Sequence, residues 1–256
     1  MKIQLFIYFI LLSFILNEDI IDDVEVLKNR AWVDHGNKTG AHYYAYSPYT
    51  TGYSRVTTYV KLPKKLFTKG GSRKAYISFG VGGSSGSIDM GIMNSGNGWY
   101  PYHYDVNKTE FKAYKNYFEP YGTEFVALDL EIIPERIIIF AVSFRDSNND
   151  VMSFFSVRID ASHTLIYENG RVKNRFYRFA SLIPEGEDNQ NDGTYMIGGQ
   201  FTNLVIVRNN FGYDWGIAGE DIDVAWKVST KRIHFSYDNK NDYFDIAHIE
   251  GGIMPI

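Results

Sequence analysis

Apolar residues recur at every second position through most of the chain from residue 40 onward, and that period restricts the fold to sheets. Ile88, Met90 and Ile92 alternate with Ser87, Asp89 and Gly91, the pattern of a half-buried strand. Val126, Leu128, Leu130 and Ile132 alternate with Phe125, Ala127, Asp129 and Glu131. The same reading covers Ile222 to Val228 and Ile233 to Tyr237, on either side of a polar turn at Ser229 to Lys231. Ile137 to Val142 is apolar at every position and suits a strand covered on both faces. Turn chemistry separates these runs: Asp146-Ser147-Asn148-Asn149-Asp150, the tight-hairpin pair Asn169-Gly170, and Gly70-Gly71-Ser72. About fourteen strands are expected, with helix only at Asp19 to Arg30 and Glu110 to Phe118. The fold class is therefore all-β, a two-sheet antiparallel β-sandwich of jelly-roll type.

The first seventeen residues differ in kind from the rest. Met1-Lys2 and the apolar run Ile3 to Leu16 read as a signal peptide, too short to span a bilayer as a helix. Leu16-Asn17-Glu18 lacks the small residues usual at a cleavage site, which keeps an uncleaved signal anchor open. The organisation read from the sequence is a signal at 1–17, an extension or short first element at 18–39, and one sandwich domain at 40–256. Two sequons, at Asn37 and Asn107, agree with a secreted, glycosylated chain. No second stretch is long and apolar enough to cross a membrane.

Composition removes several classes. The chain has no Cys, so disulfides, thiolate metal sites and a cysteine nucleophile are excluded. A formal charge of −4 and a pI near 5.9 give no reason to expect a nucleic-acid partner. The 256 residues are enough to bury a stable core without disulfides. The 20 Tyr, 18 Phe and 4 Trp leave many rings for packing or for recognition.

A large sandwich with many rings, and the stretch GSIDMGIMNSGNGWYPY from Gly86 to Tyr102, resembles the concanavalin A-like lectin and glucanase superfamily. The resemblance is at the level of fold, and function must come from a site. It implies a lectin-like protein whose partner is a glycan or polysaccharide. Asn94 to Asp105 reads NSGNGWYPYHYD, rings beside carboxamides and a carboxylate. That mixture suits a sugar, whose apolar faces stack on flat rings while its hydroxyls take fixed polar partners. Trp99, Tyr100, Tyr102 and Trp215 are the expected stacking residues, and Asp89, Asn94, Asn97 and Asp105 the hydroxyl partners. The competing reading is that these rings cap the core beneath a glycine-rich turn. A further loop, Asn209 to Gly216, places Tyr213, Asp214 and Trp215 in similar company.

Two carboxylate pairs would make a glycoside hydrolase of the same scaffold. Asp129 with Glu131, and Asp221 with Asp223, each share a strand face at i and i+2. The glucanase branch carries Glu-x-Asp-x-x-Glu, which Glu220-Asp221-Ile222-Asp223 does not match. His103, between Tyr102 and Tyr104, is the candidate for lyase chemistry. A structural or adhesive surface protein without a small ligand is the third class. Gly82-Gly83-Ser84-Ser85-Gly86 matches a nucleophile elbow only in letters, because Ser87 to Met93 reads as a strand rather than a helix. No cofactor is expected; calcium is left open by the Asp146, Asn148, Asp150 spacing, and by Asp188 to Gly193. The basic stretch Lys61, Lys64, Lys65, Lys69, Arg73, Lys74 reads as a solvated inter-strand loop or as a surface for an anionic glycan or a membrane.

Overall fold

The computed structural model describes residues 41–47, 52–67, 74–83, 86–96, 98–183, 193–215, 233–237 and 240–247. Strands are numbered along the chain. A six-stranded antiparallel sheet has the order β1 (Ala41–Tyr46), β13 (Arg175–Ile183), β4 (Lys74–Gly83), β5 (Gly86–Asn94), β6 (Trp99–Asp105) and β7 (Glu110–Ala113). A nine-stranded sheet runs β10 (Val151–Asp160), β9 (Ile137–Arg145), β8 (Phe125–Ile133), β2 (Tyr53–Lys61), β14 (Tyr195–Arg208), β17 (Asp242–Ala247) and β16 (Ile233–Tyr237). Two short strands, β3 (Lys65–Phe67) and β15 (Phe211–Asp214), also pair with β14. A small hairpin, β11 (Tyr167–Glu168) and β12 (Arg171–Val172), turns on Asn169 and Gly170. Both turn residues have positive φ, 51° and 73°, as the sequence pair Asn-Gly dictates.

Alternation decides the layers. Ile77 and Phe79 of β4, with Ile88, Met90 and Ile92 of β5, point inward and are wholly buried. They meet Val56, Val60, Leu128, Leu130, Phe140 and Phe201 from the other sheet in one continuous core. Phe79 stacks on Phe201 at 6.3 Å and lies tilted against Trp215 at 6.2 Å. The sandwich expected from the period-two pattern is the fold observed.

Two local expectations change. Glu110 to Phe118 is no helix: Glu110–Ala113 is β7, an edge strand whose Phe111 lies against Tyr102 and Tyr104. Pairing with β6 outweighs a weak local helix preference. Tyr213 and Asp214 belong to strand β15 rather than to a loop. The only helical turn among the described residues is the 3₁₀ segment Pro134–Arg136. Asp19 to Arg30, and the strand expected from Ile222 to Val228, lie outside the described residues, as do the signal and Asn37.

Candidate active site

The outward face of the six-stranded sheet holds a second, smaller apolar cluster: Tyr76, Met93, Tyr100, Tyr102, Tyr177 and Phe179. It comes from the alternate positions of the strands whose other residues build the core. Ring contacts knit it together, with Tyr76 edge-on to Tyr102 at 5.1 Å and Tyr177 stacked on Phe179 at 6.3 Å. Ser78 Oγ and Tyr102 Oη share a hydrogen bond of 2.7 Å, and Ser95 Oγ and Tyr100 Oη one of 3.0 Å. Among the described strand residues of this face, Asp89 is the sole carboxylate.

Register places that carboxylate. Tyr177 of β13, Gly80 of β4, Asp89 of β5, Tyr104 of β6 and Phe111 of β7 lie in one row across the sheet. Tyr177 and Asp89 are two strand spacings apart, roughly 10 Å of backbone separation. The phenol nevertheless donates a hydrogen bond to Asp89 Oδ1. It does so by lying over Gly80, where an added Cβ would stand 2.1 Å from the ring carbon Cζ. Glycine inside a strand here marks a close approach across the sheet. Asp89 is half-buried; desolvation pushes its carboxyl up from 3.8 to about 6, against the opposing pull of the Tyr177 bond. The result is a carboxyl that changes charge near pH 6 and is held by one phenol hydroxyl.

Gly80→Ala tests this geometry. The overpacked methyl is expected to cost about 1–3 kcal/mol and to displace the Tyr177 ring. Loss of the phenol bond would then raise the Asp89 pKa beyond its present value, because that bond lowers it. A side-chain carboxyl ¹³C titration reads this directly; an unchanged midpoint in G80A would show that the phenol does not reach Asp89 over Gly80.

The residues expected to form a sugar platform do not share a surface. Trp99 and Trp215 are 3% and 0% exposed, inside the core between the sheets. Tyr100 and Tyr102 lie on the opposite face of β6, where they are buried in the outer cluster. The stretch from Asn94 to Asp105 is the end of β5, a turn and then β6, so alternation splits its rings between two layers. Asn94 accepts the Gly96 N–H at 2.7 Å and closes that turn; Asn97 lies outside the described residues. Asp105 faces inward, accepting the Lys108 N–H and pairing with His163 Nε2 at 2.8 Å. Burial raises its carboxyl, but the His163 and Lys108 contacts outweigh this and hold it below the usual range. His103 is buried, with Nδ1 bonded to Tyr114 Oη at 2.9 Å. Burial pushes its pKa down.

The other candidates are placed by ordinary structural bonds. Asp129 and Glu131 lie on the outward face of the nine-stranded sheet, where Arg55 grips Asp129 with Nε at 2.8 Å from Oδ1 and Nη2 on Oδ2. Such a bidentate fork occupies both carboxylate oxygens. Asp221 and Asp223 lie outside the described residues. Asp146 Oδ1 accepts the N–H groups of Asn148 and Asp150, each at 2.9 Å, which closes the β9–β10 hairpin. No group of three or more potential metal-binding side chains occurs among the described residues. Asn107 is exposed in the turn between β6 and β7, its amide lying against Gly86.

Of the expected sugar-binding residues, only Asp89, Tyr100 and Tyr102 fall on the outward face together. Tyr177, Gly80 and Ser78 were missed. The one local hint was the run Ser78-Phe79-Gly80-Val81-Gly82, whose glycines alternate with core residues inside a strand.

No family model and no curated protein matches the chain. Solved structures do match in fold. Scytalido-glutamic peptidase with a peptide-based transition-state analog superposes with a TM-score of 0.53 at 8% identity, over 81% of this chain and 98% of that one. SCP-B, a member of the Eqolisin family of peptidases in complex with the tripeptide Ala-Ile-His, gives 0.52 at 8% identity over the same shares. The likeness establishes a β-sandwich of the kind those peptidases have. It overturns the lectin reading, since these neighbours are peptidases, and replaces the concanavalin A-like label with the broader sandwich. No helix among the described residues is long and apolar enough to cross a membrane.

Proposed function

We propose that this protein is a peptidase, whose substrate lies on the outward face of the six-stranded sheet and whose working groups are Asp89 and Tyr177. The observation that carries this reading is the half-buried Asp89 carboxyl, moved to about 6 by desolvation and bonded by a phenol across Gly80. Perturbed carboxyls paired with a donor are what general acid–base chemistry requires. The fold neighbours hold a peptide-based analog and a tripeptide, which favours a peptide over other amide or ester substrates. Their name, glutamic, does not transfer: this face offers aspartate among its described strand residues.

The chemistry follows from the pair. Ionised Asp89 takes a proton from water as the water oxygen adds to the peptide carbonyl. Tyr177 turns its hydroxyl from the carboxylate to the developing oxyanion and stabilises it by a hydrogen bond. The tetrahedral intermediate collapses with cleavage of the C–N bond, and the proton held on Asp89 passes to the leaving amine. The carboxylate and phenol are thereby restored.

The signal-like residues 1–17 and the two sequons support a secreted site of action, with 18–39 as an extension and 40–256 as the single domain. The test is digestion of a mixed-sequence peptide library, read by mass spectrometry. Asp89→Asn is expected to lower kcat/KM by at least about 10²-fold and Tyr177→Phe by about 10-fold or more. Activity of the wild type is expected to rise with pH about a midpoint near 6, where Asp89 ionises. Full turnover by D89N would refute the assignment.

A further inference from the structure

We propose that Lys74 and Phe111 form a subsite for a carboxylate borne by the peptide substrate; this rests on the outward face being where peptides bind. Lys74 closes the basic stretch of the sequence and opens β4. Ala75 after it is buried in the core, so Lys74, like Tyr76, belongs to the outward face. Its side chain does not turn to solvent at the end of the strand. The ammonium sits 5.2 Å from the centroid of Phe111, on β7, although β5 and β6 intervene between those strands. The lysine therefore lies across the face that holds Asp89.

The platform beneath is built. Phe111 is 42% exposed and stacks on Tyr102 at 5.6 Å with an interplanar angle of 25°. Tyr102 is buried and anchored through its hydroxyl to Ser78. Among the described residues no carboxylate pairs with Lys74 in the structure. A ring face holds an ammonium without neutralising it, which leaves the charge available to an anion. An acidic residue offers both halves of the match, its methylenes on Phe111 and its carboxylate on Lys74. Tyr102 pairs with Gly91, two residues along β5 from Asp89, or about 7 Å. Phe111 itself lies in the Asp89 row two strands across, roughly 10 Å, so an extended substrate would carry its carboxylate about two to three residues from the bond that is cut.

Two sources supply that chemistry, an internal Asp or Glu and a free C-terminus, and one peptide series separates them. A fluorescent peptide is made with Glu or Gln two or three residues to either side of the cleaved bond, each ending in a free acid or an amide. Binding to D89N is read by anisotropy, and hydrolysis by the wild type in parallel. The expected result is a roughly three- to fivefold tighter Kd for carboxylate-bearing peptides at low salt, weakening as salt is raised. Lys74→Gln is expected to abolish the preference and Lys74→Arg to retain it. Dependence on the Glu arm assigns an internal acidic residue; dependence on the free-acid arm assigns the terminus. Equal affinity across the series, or a preference surviving in K74Q, overturns the subsite while leaving hydrolysis untouched. A Lys74-dependent preference without hydrolysis overturns the catalytic reading and leaves the subsite standing.

Discussion

Arg178→Ala is expected to destabilise the fold by about 3–5 kcal/mol, a large part of what holds a domain of this size together. Arg178 sits at an inward position of β13, and its guanidinium Nε donates to Asp242 Oδ2 at the start of β17. Both side chains are 0% exposed. The guanidinium also lies over the ring of Trp215, 4.5 Å from its centroid, so one side chain joins the two sheets and the segment after β15. Removing it takes the Arg178 charge from a carboxylate buried in the core, and the cost is that of breaking a buried pair. It also removes one of the surfaces against which Trp215 packs. Urea unfolding of R178A, with the slope compared to wild type, gives the loss. The double change Arg178→Met with Asp242→Leu is expected to recover most of it, because an apolar pair of similar volume needs no partner. A loss under about 1 kcal/mol in R178A would mean that water reaches the pair.

This pair shows where sequence reading stops. The inward and outward positions of β5 and β8 were legible, because a buried face imposes period two on each strand by itself. The hairpin at Asn169-Gly170 was legible because positive φ at both positions asks for those residues. Arg178 and Asp242 are 64 residues apart, and nothing local marks either as buried. The candidate site has the same difficulty. Asp89 was picked out for its strand position, yet its partner Tyr177 is 88 residues away and meets it only because β13, β4 and β5 are neighbours. Strand order is a property of the whole chain. The aromatic stretch from Trp99 to Tyr104 misled for a related reason. Read as a loop it offers one surface; as a strand it sends alternate rings to opposite layers, so Trp99 packs the core while Tyr100 and Tyr102 join the outer cluster. The glutamate and aspartate at 131 and 129 looked catalytic by spacing, but the neighbouring strand β2 brings Arg55 to Asp129.

Asp89 should also leave a mark on stability that runs opposite to that of most carboxylates. Its carboxyl titrates near 6 in the folded protein, above the 3.8 of an unperturbed aspartate. The folded state therefore holds this proton more tightly than the unfolded chain does. Its contribution is fully present below about pH 3.8 and is lost as pH rises through 6, staying constant above that. The shift bounds the loss at about 3 kcal/mol, less whatever solvent screens at a half-buried site. Asp105 runs the other way, its depressed carboxyl favouring the fold above the ordinary aspartate range and losing that contribution in acid. The difference between wild type and Asp89→Asn isolates the first effect. D89N keeps a neutral acceptor for the Tyr177 hydroxyl and has no charge to desolvate. It is expected to match wild type near pH 4 and to be more stable by about 1–3 kcal/mol at pH 7, as urea midpoints across that range would show. The same substitution is expected to lower kcat/KM by at least about 10²-fold, so the carboxylate that costs stability at neutral pH is the one that catalysis uses. Such opposition between stability and activity is expected of a working group held in an apolar setting. If D89N were instead less stable at pH 7 than at pH 4 relative to wild type, the ionised carboxylate would be a structural anchor, and its desolvation could not be poising it as a base.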